Sequence, residues 1–383
     1  FKQKTAYEIA SCLVGSEMCI RDRVMPAVWN KPSIQQPNIP KQVNFKEVLL
    51  TLIESLNLCS REYKSRMYDG EVKGLSVVKP FVGKKSDVPS DATVLRIDYE
   101  SNRGAILAEG INPWYSDLDT YAMTASVIDE AVRKIIAVGG DLRRIAILDN
   151  FCWPDPVESE KTPDGAYKLA QLVRSCKALY DYTTLYKTPA ISGKDSCKND
   201  STRGGKKISI PPTLLISSIG QINDVQKSVT VPFKSSGDLI YIIGKTKDEL
   251  GASAYYRLLA EEQRSPESYG GVVPKVDGDD ALNIYKAMNK ATELQLLNSS
   301  TTPTKGGVAL SIALASMGGN CGADINLSKI HSDFITALFS ESNSRFLVSI
   351  SPENKEKFMT LFKEINIYEI ELINYEFPIF SIR

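Results

Sequence analysis

Two strand-like stretches stand ahead of the longest helical pattern in the chain, and that order limits the fold more than any other feature. Asp91 to Asp98 (D-A-T-V-L-R-I-D) and Gly104 to Glu109 alternate as strands about a turn at Ser101, Asn102 and Arg103. Asp119 to Val138 then carries Ala, Val and Ile at helical spacing and stops at Gly139-Gly140, residues suited to a helix C-terminus. Inside it Glu130 and Lys134 stand four apart and read as a solvated intrahelical pair, worth roughly 0.3 to 0.5 kcal/mol. Arg144 to Asn150 reads as a buried strand, Tyr167 to Tyr186 as a helix, and Thr188 to Ile191 as a returning strand. A run of strands before the long helix, then alternation, predicts α+β rather than a purely doubly wound sheet.

The flanking segments extend this pattern. Phe45, Val48, Leu49, Leu52, Ile53 and Leu56 fall at helical spacing between Asn44 and Asn57, and a strand is stopped by Pro80. Pro211 to Gly220 supplies a further strand, a boundary falls near Val225 to Ser236, and D-L-I-Y-I-I-G restarts a second half. That half has a Gly/Ser loop at Gly251 to Ser253, a helix from Asp279 to Leu297, and T-T-P-T-K-G-G leading into an apolar helix whose N-terminal amides are an anion site in principle. D-F-I-T-A-L-F reads as a strand, F-L-V-S-I as another, Pro352 to Lys363 as a helix, and the end as strand-like. With 383 residues, 43% hydrophobic and 24% charged, two cores are expected.

Charge and cysteine usage narrow the function classes. Lys+Arg and Asp+Glu balance at 46 each, so no global field draws this chain to nucleic acid or an acidic membrane. No apolar run approaches the about eighteen residues of a membrane span. Seven scattered cysteines without a C-x-x-C argue against a disulfide framework or a zinc site and suit a reducing cytoplasm. The single histidine, His331, reads as a loop residue, so chemistry needing two histidines is not housed here. Phe1 to Arg23 resembles translated adapter read-through joined to a truncated frame, and residues 24–43 read as a linker.

The stretch A-I-S-G-K-D-S-C-K-N-D, Ala190 to Asp200, concentrates chemistry. Gly193 lets backbone N–H groups approach an anion, Lys194 is a point cation, and Asp195 can hold a hard cation through oxygen. It is not a phosphate-binding loop of the G-x-x-x-x-G-K-[ST] kind, and a plain polar turn is the alternative. Cys197 lacks a neighbouring histidine and reads as a packing residue.

Five spaced motifs agree in kind and order: L-N-L-C-S-R-E with M-Y-D-G-E-V-K-G; D-E-A-V-R-K-I-I-A-V-G-G-D with R-R-I-A-I-L-D-N-F-C-W; I-S-G-K-D-S-C-K-N-D; D-L-I-Y-I-I-G-K-T-K-D-E-L-G; and L-F-S-E-S-N-S-R-F. Over about residues 44 to 363 they resemble phosphoribosylformylglycinamidine synthase, of the aminoimidazole-ribonucleotide-synthase-like superfamily. The resemblance implies two pseudo-equivalent halves, of which this chain is similar to the second only. An A-type mixed or antiparallel sheet domain with flanking helices (44–225) would be followed by a B-type α/β sandwich domain (226–383). It also implies an ATP-dependent C–N ligase that converts formylglycinamide ribonucleotide and ammonia to formylglycinamidine ribonucleotide, ADP and phosphate. The ammonia would come from glutamine through a glutaminase domain or subunit, and the catalytic histidine would lie in the missing first half, leaving this chain without catalytic residues. A pairing module without catalysis is the other reading, and a kinase-like relative of the hydrogenase-maturation or thiamine-phosphate type is a third.

Carried over residue by residue, the resemblance makes Asp149 an acidic nucleotide contact, Gly193 a backbone nucleotide contact, Ser196 a substrate contact and Asp195 a Mg²⁺ ligand. A strand-end cap is the plainer role for Asp149. Asp91 and Glu130 match the carboxylates of an auxiliary Mg²⁺-nucleotide site. Lys134 and the Lys305 of T-T-P-T-K-G-G stand where that site has metal-binding residues, so it is expected to be empty or without its metal.

Overall fold

The computed structural model describes residues 25–67, 71–374 and 381–382; the adapter-like segment and the tip of M-Y-D-G lie outside them. Helices α1 (Phe45–Glu54) and α2 (Glu62–Arg66) lead to β1 (Ser76–Val78), a small β2–β3 hairpin (Phe81–Val82 and Val88–Pro89), β4 (Thr93–Arg96) and β5 (Gly104–Ile111). Next come α3 (Thr120–Ala137), β6 (Ile145–Cys152), α4 (Gly165–Tyr186), β7 (Ala190–Ser196), a β8–β9 hairpin (Asp200–Arg203 and Lys206–Ser209) and β10 (Thr213–Ile222). The chain continues through β11 (Leu239–Ile243), α5 (Ala254–Glu262), α6 (Gly278–Glu293), β12 (Ser299–Thr301), α7 (Gly307–Gly319) and β13 (Gly322–Ile325). It closes with α8 (Phe334–Phe339), β14 (Phe346–Ile350), α9 (Lys355–Leu361), β15 (Ile367–Asn374) and β16 (Ser381–Ile382).

The mixed α/β character expected from the order of elements holds. The first sheet runs β1-β4-β5-β10-β6-β7 and is antiparallel except for its last pair, β6 and β7. The second runs β12-β14-β11-β15-β13-β16, with β13 and β16 its parallel pair. One apolar cluster joins Val127 and Ile128 of α3 to Tyr285 and Met288 of α6 and to Phe346 and Val348 of β14, so these helices lie between the sheets. The other face of the second sheet packs Ile240 and Ile242 against Val308 and Ile312 of α7, with Leu52 of α1.

Helix α3 is held by its own chemistry at the start and by packing thereafter. The Asp119 carboxylate accepts the N–H groups of Tyr121 and Ala122, a side-chain N-cap worth about 1 kcal/mol. Gly110 and Gly220 open the sheet to it: a Cβ on Gly110 would stand 2.0 Å from the Val127 carbonyl oxygen, and one on Gly220 2.5 Å from Ile135. Glu130 is only 8% exposed, which corrects the reading of Glu130 and Lys134 as a solvated pair; α3 is buried nearly all round.

Two further expectations change. D-F-I-T-A-L-F is the helix α8, not a strand, started by the Asp333 side chain accepting the Thr336 N–H. The motif after Ile191 does not form a turn beyond a strand end: Ser192 to Ser196 are themselves strand, paired with β6. Among the described residues no helix is long and apolar enough to cross a membrane.

Candidate functional site

Among the described residues strand β7 is an edge strand, bonded to β6 on one side only, and its residues are exposed up to Ser196. Its pairing places Asp149 beside Gly193, Asn150 beside Lys194, Phe151 beside Asp195 and Cys152 beside Ser196. A register shift between Ile147 and Leu148 sets this alignment. Because side chains alternate along a strand, the shift divides the motif between the two faces of the sheet.

Asp149, Gly193 and Asp195 come together on the helix side. Asp149 alternates with the buried Ile147 and Phe151 and is paired across β10 with the buried Ile216. A Cβ on Gly193 would fall 2.4 Å from the Asp149 Oδ1, so the carboxylate lies over bare backbone and any larger residue there would push it aside. Burial pushes the Asp149 carboxyl above the ordinary carboxylate range, and the negative charge of Asp195 adds to the effect. Cys176 of α4 stands near the same pair: although the residue keeps solvent contact, desolvation of its thiol, then Asp195 and Asp149, push the thiol up to about 11, which disfavours the thiolate.

Lys194 and Ser196 occupy the opposite, uncovered face, where the Lys194 ammonium donates to the Ser196 hydroxyl. Next to them the buried Oδ1 of Asn150 has no hydrogen-bond partner among the described residues. That face carries half-exposed apolar side chains, among them Val77, Leu107 and Ile219. The structure thus does not bring Ser196 to the face that holds Asp149 and Gly193.

Asp91 and Glu130 belong to a separate cluster where the two sheets meet. Asp91 accepts the Thr302 hydroxyl at 2.9 Å and its N–H at 3.2 Å. Burial raises its carboxyl, partly offset by Lys134 and the threonine bonds. The Lys134 ammonium lies 2.7 Å from Glu130 and donates to the Glu109 carbonyl at 3.0 Å. Burial alone would raise the Glu130 carboxyl, but Lys134, Lys305 and Arg133 outweigh it and hold it below its usual range. Lys305 itself donates to the Ile111 carbonyl at 2.6 Å.

Beside this lies a polar hub that sequence reasoning missed. Asp129, fully buried, accepts from Arg133 at 2.5 Å, the Tyr186 hydroxyl at 2.9 Å, the Tyr285 hydroxyl, and the Ser344 N–H and hydroxyl at 3.0 and 2.8 Å. Glu341 accepts the N–H groups of Ala254 and Gly306, both at 2.9 Å, and the Tyr115 hydroxyl at 2.5 Å. The anion expected at the apolar helix's N-terminus is therefore this chain's own carboxylate, serving α5 and α7 together. The signal was present in L-F-S-E-S-N-S-R-F, whose polar residues Ser340 to Arg345 are buried or nearly so. Among the described residues no three His, Cys, Asp or Glu side chains group as metal ligands, and His331 lies in a loop, as its sequence context suggested.

Residues 235–373 match the family model described as AIR synthase related protein, C-terminal domain. The chain is 31% identical, over 84% of its length, to phosphoribosylformylglycinamidine synthase subunit PurL of Methanocaldococcus jannaschii, and covers 41% of that relative. It therefore spans about two fifths of the length of the curated relatives it matches. Thermotoga maritima PurL complexed with FGAR superposes with a TM-score of 0.64 at 15% identity, over 89% of this chain and 51% of that one. The same protein complexed with ATP gives 0.62 at 15%, over 90% and 50%. At that identity the superpositions establish the fold.

Proposed function

We infer that this chain, which belongs to the phosphoribosylformylglycinamidine synthase family and corresponds to the second half of its PurL subunit, supplies one wall of an ATP-dependent C–N ligase site. The reaction is conversion of formylglycinamide ribonucleotide, ATP and ammonia to formylglycinamidine ribonucleotide, ADP and phosphate, with the ammonia drawn from glutamine by a glutaminase partner. Residues 44–225 and 226–383 are its A-type and B-type domains. The first half of the synthetase completes the site and brings the catalytic base, so the chain alone does not turn over.

The observation that carries this reading is the Asp149 carboxylate lying over Gly193, with Asp195 on the same face of an open edge strand. The residues fit a nucleotide with its cation. A Mg²⁺ bound mainly by phosphate oxygens needs one or two protein carboxylates, and Asp195 with Asp149 can provide them. Bound there, it would neutralise charge on the transferring phosphoryl group. Gly193 leaves its backbone free for close approach, and Ser196, with the unpartnered Asn150 Oδ1 beside it, binds the ribonucleotide from the uncovered face. A Mg²⁺ does not fit at Asp91 and Glu130, because the Lys134 and Lys305 cations already sit among those carboxylates.

The test is turnover by this chain mixed with a first half of the synthetase, assayed with ATP, formylglycinamide ribonucleotide and ammonia. Gly193→Val and Asp149→Ala should each lower the rate by roughly tenfold to a hundredfold, the worth of a charged hydrogen bond. Turnover by the chain alone, or indifference to both substitutions, would reject the assignment. The pairing-module reading draws on the apolar uncovered face, with Leu107 47% and Ile219 41% exposed. Sedimentation showing association without any nucleotide binding would favour it.

A further inference from the structure

The chain ahead of α1 has no regular structure, yet it is fastened to both halves of the molecule and roofs a cavity between its fastenings. Val28 donates its N–H to the Ala166 carbonyl at 3.1 Å, and the Trp29 ring stacks on Tyr167 of α4 at 5.5 Å, with the Arg174 guanidinium 4.2 Å from the Trp29 ring. Further on, the Gln35 carbonyl accepts the Gly270 N–H at 2.7 Å, and the Asn38 backbone shares bonds of 3.1 and 2.6 Å with the Gln263 side-chain amide. A Cβ on Gly270 would stand 1.8 Å from the Ile34 carbonyl oxygen, so the first glycine of S-Y-G-G-V lets the two backbones close on each other. Residues 28–38 thus strap α4 of the first half to the loops around α5 of the second.

The cavity under the strap encloses ≈ 590 Å³. Pro32 and Ile34 of the strap, Leu118 and Ala122 at the start of α3, and Val273 of the loop before α6 make its walls largely apolar. Lys31 of the strap and Lys275 of that loop also line it, and neither ammonium makes an ion pair or hydrogen bond among the described residues. The carboxylate at the cavity, Asp119, is already engaged: it accepts Arg174 through both oxygens at 2.7 Å and caps α3. The buried Glu249 is engaged too, accepting the Lys275 backbone N–H at 3.2 Å through one oxygen and the Ser342 hydroxyl at 2.8 Å through the other. What remains is an apolar recess with two uncompensated positive charges, in a chain whose charges balance at 46 each.

We propose that this cavity binds a small organic dianion, its charged end held between Lys31 and Lys275 and its apolar body lying against Ile34, Leu118, Ala122 and Val273. Two ammoniums match two negative charges, as on a phosphate monoester near neutral pH or on a dicarboxylate, and the volume is that of a metabolite site. The walls come from the strap, from α3 and from the loop before α6, so the ligand clamps the strap to both halves. The site lies on the helix-covered side of the first sheet, away from its uncovered face. It stands independently of the ligase reading, since it shares no residue with Asp149, Gly193, Asp195 or Ser196.

Calorimetric titration of the full chain with phenyl phosphate and benzylmalonate tests it, with inorganic phosphate and benzyl alcohol as the charged and apolar parts taken separately. One or both of the aromatic dianions should bind more tightly than either part and raise the thermal melting midpoint. Lys31→Met/Lys275→Met replaces two exposed side chains, so it should leave the melt without ligand unchanged, weaken the dianion roughly tenfold or more, and remove the rise in midpoint. Gly270→Ala presses on Ile34 and should weaken binding by lifting the roof; if it disturbs folding, Gln263→Ala, which removes the two bonds to Asn38, makes the same comparison. Preference for phenyl phosphate supports a phosphate monoester as the ligand, and preference for benzylmalonate supports a dicarboxylate. Failure of both dianions to bind overturns the proposal, as does unchanged affinity in the lysine variant, or inorganic phosphate binding as tightly as phenyl phosphate. Binding lost on Asp149→Ala but kept in the lysine variant would assign the probe to the edge of β7 and overturn the cavity site.

Discussion

Replacing Asp129 by alanine should unfasten the two sheets from each other. Asp129 and Arg133 stand on α3, whereas the other groups they hold come largely from the second half: Tyr285, Ser344, Asn343 and the Pro303 carbonyl. Arg133 is 2% exposed; burial alone would lower its basicity, but Asp129, with smaller help from Tyr285 and Glu130, raises it. Removing the carboxylate leaves a buried guanidinium without its counter-charge, a loss of about 3–5 kcal/mol. Two tyrosine hydroxyls and the Ser344 N–H also lose their acceptor, so the upper end of that range is expected. Domains of this kind have about 5–15 kcal/mol in all, so the variant should be marginal. Urea denaturation of wild type, Asp129→Ala, Arg133→Met and the double variant is the assay. The double variant removes both charges and should be more stable than Asp129→Ala alone. A cost below about 1 kcal/mol for Asp129→Ala, or a double variant as unstable as the two single costs added, would refute the account of a compensated buried pair.

Lys134→Met should destabilise the fold at neutral pH by about 3 kcal/mol, because Glu130 loses its 2.7 Å partner while staying buried. In the wild type the Glu130 carboxyl is depressed, so its contribution is present above the unfolded carboxylate range and lost as pH falls through the lower folded value. In the variant only Lys305 and Arg133 remain to offset burial, so this pH-dependent contribution shrinks and the denaturation midpoints of the two proteins should converge on acidification. Gly110→Ala should cost about 3 kcal/mol or more, since the new Cβ meets backbone at 2.0 Å and α3 cannot yield locally. Gly204→Ala, with open space but φ +54°, should cost only about 1–2 kcal/mol in the same thermal melts. Glu341→Gln keeps an acceptor for the Ala254 and Gly306 N–H groups and should cost about 1 kcal/mol, against clearly more for Glu341→Ala.

Much of the fold was legible because its signals are local. The β4–β5 hairpin and α3 follow from alternation, turn residues, helical spacing and the Gly139-Gly140 stop, each contained within a few positions. The helix α8 was not, because six residues rich in Phe, Ile and Thr carry no period long enough to separate helix from strand. Burial of Glu130 and Lys134 was invisible for a different reason. Their i,i+4 spacing fixes a contact on a helix but not what packs over it. The same holds for the orientation of I-S-G-K-D-S: spacing placed Gly193, Asp195 and Ser196 together in the chain, and only the register shift beside Ile147 decided which would face Asp149.

What separates a candidate site from a structural cluster in this chain is what remains after internal partners are subtracted. At the junction of the sheets little remains. Glu341 fills the anion position at two helix N-termini, and Lys134 lies against Glu130 with Lys305 acting on the same carboxylate. Those residue types are the ones that would hold phosphate and metal, yet their charges are balanced within the protein and a ligand there would have to displace a buried side chain first. At the edge strand the balance is different. Among the described residues no cation offsets the effect of Asp195 on Asp149, Gly193 leaves its backbone bare, and Asn150 keeps an unpartnered oxygen. An isolated fold gains nothing from that arrangement; a cation would relieve the repulsion between Asp149 and Asp195, and its phosphates could lie against the bare backbone of Gly193. The residues that look richest in polar chemistry are thus the clasp of the fold, and the sparser edge of β7 is the part left available for a ligand.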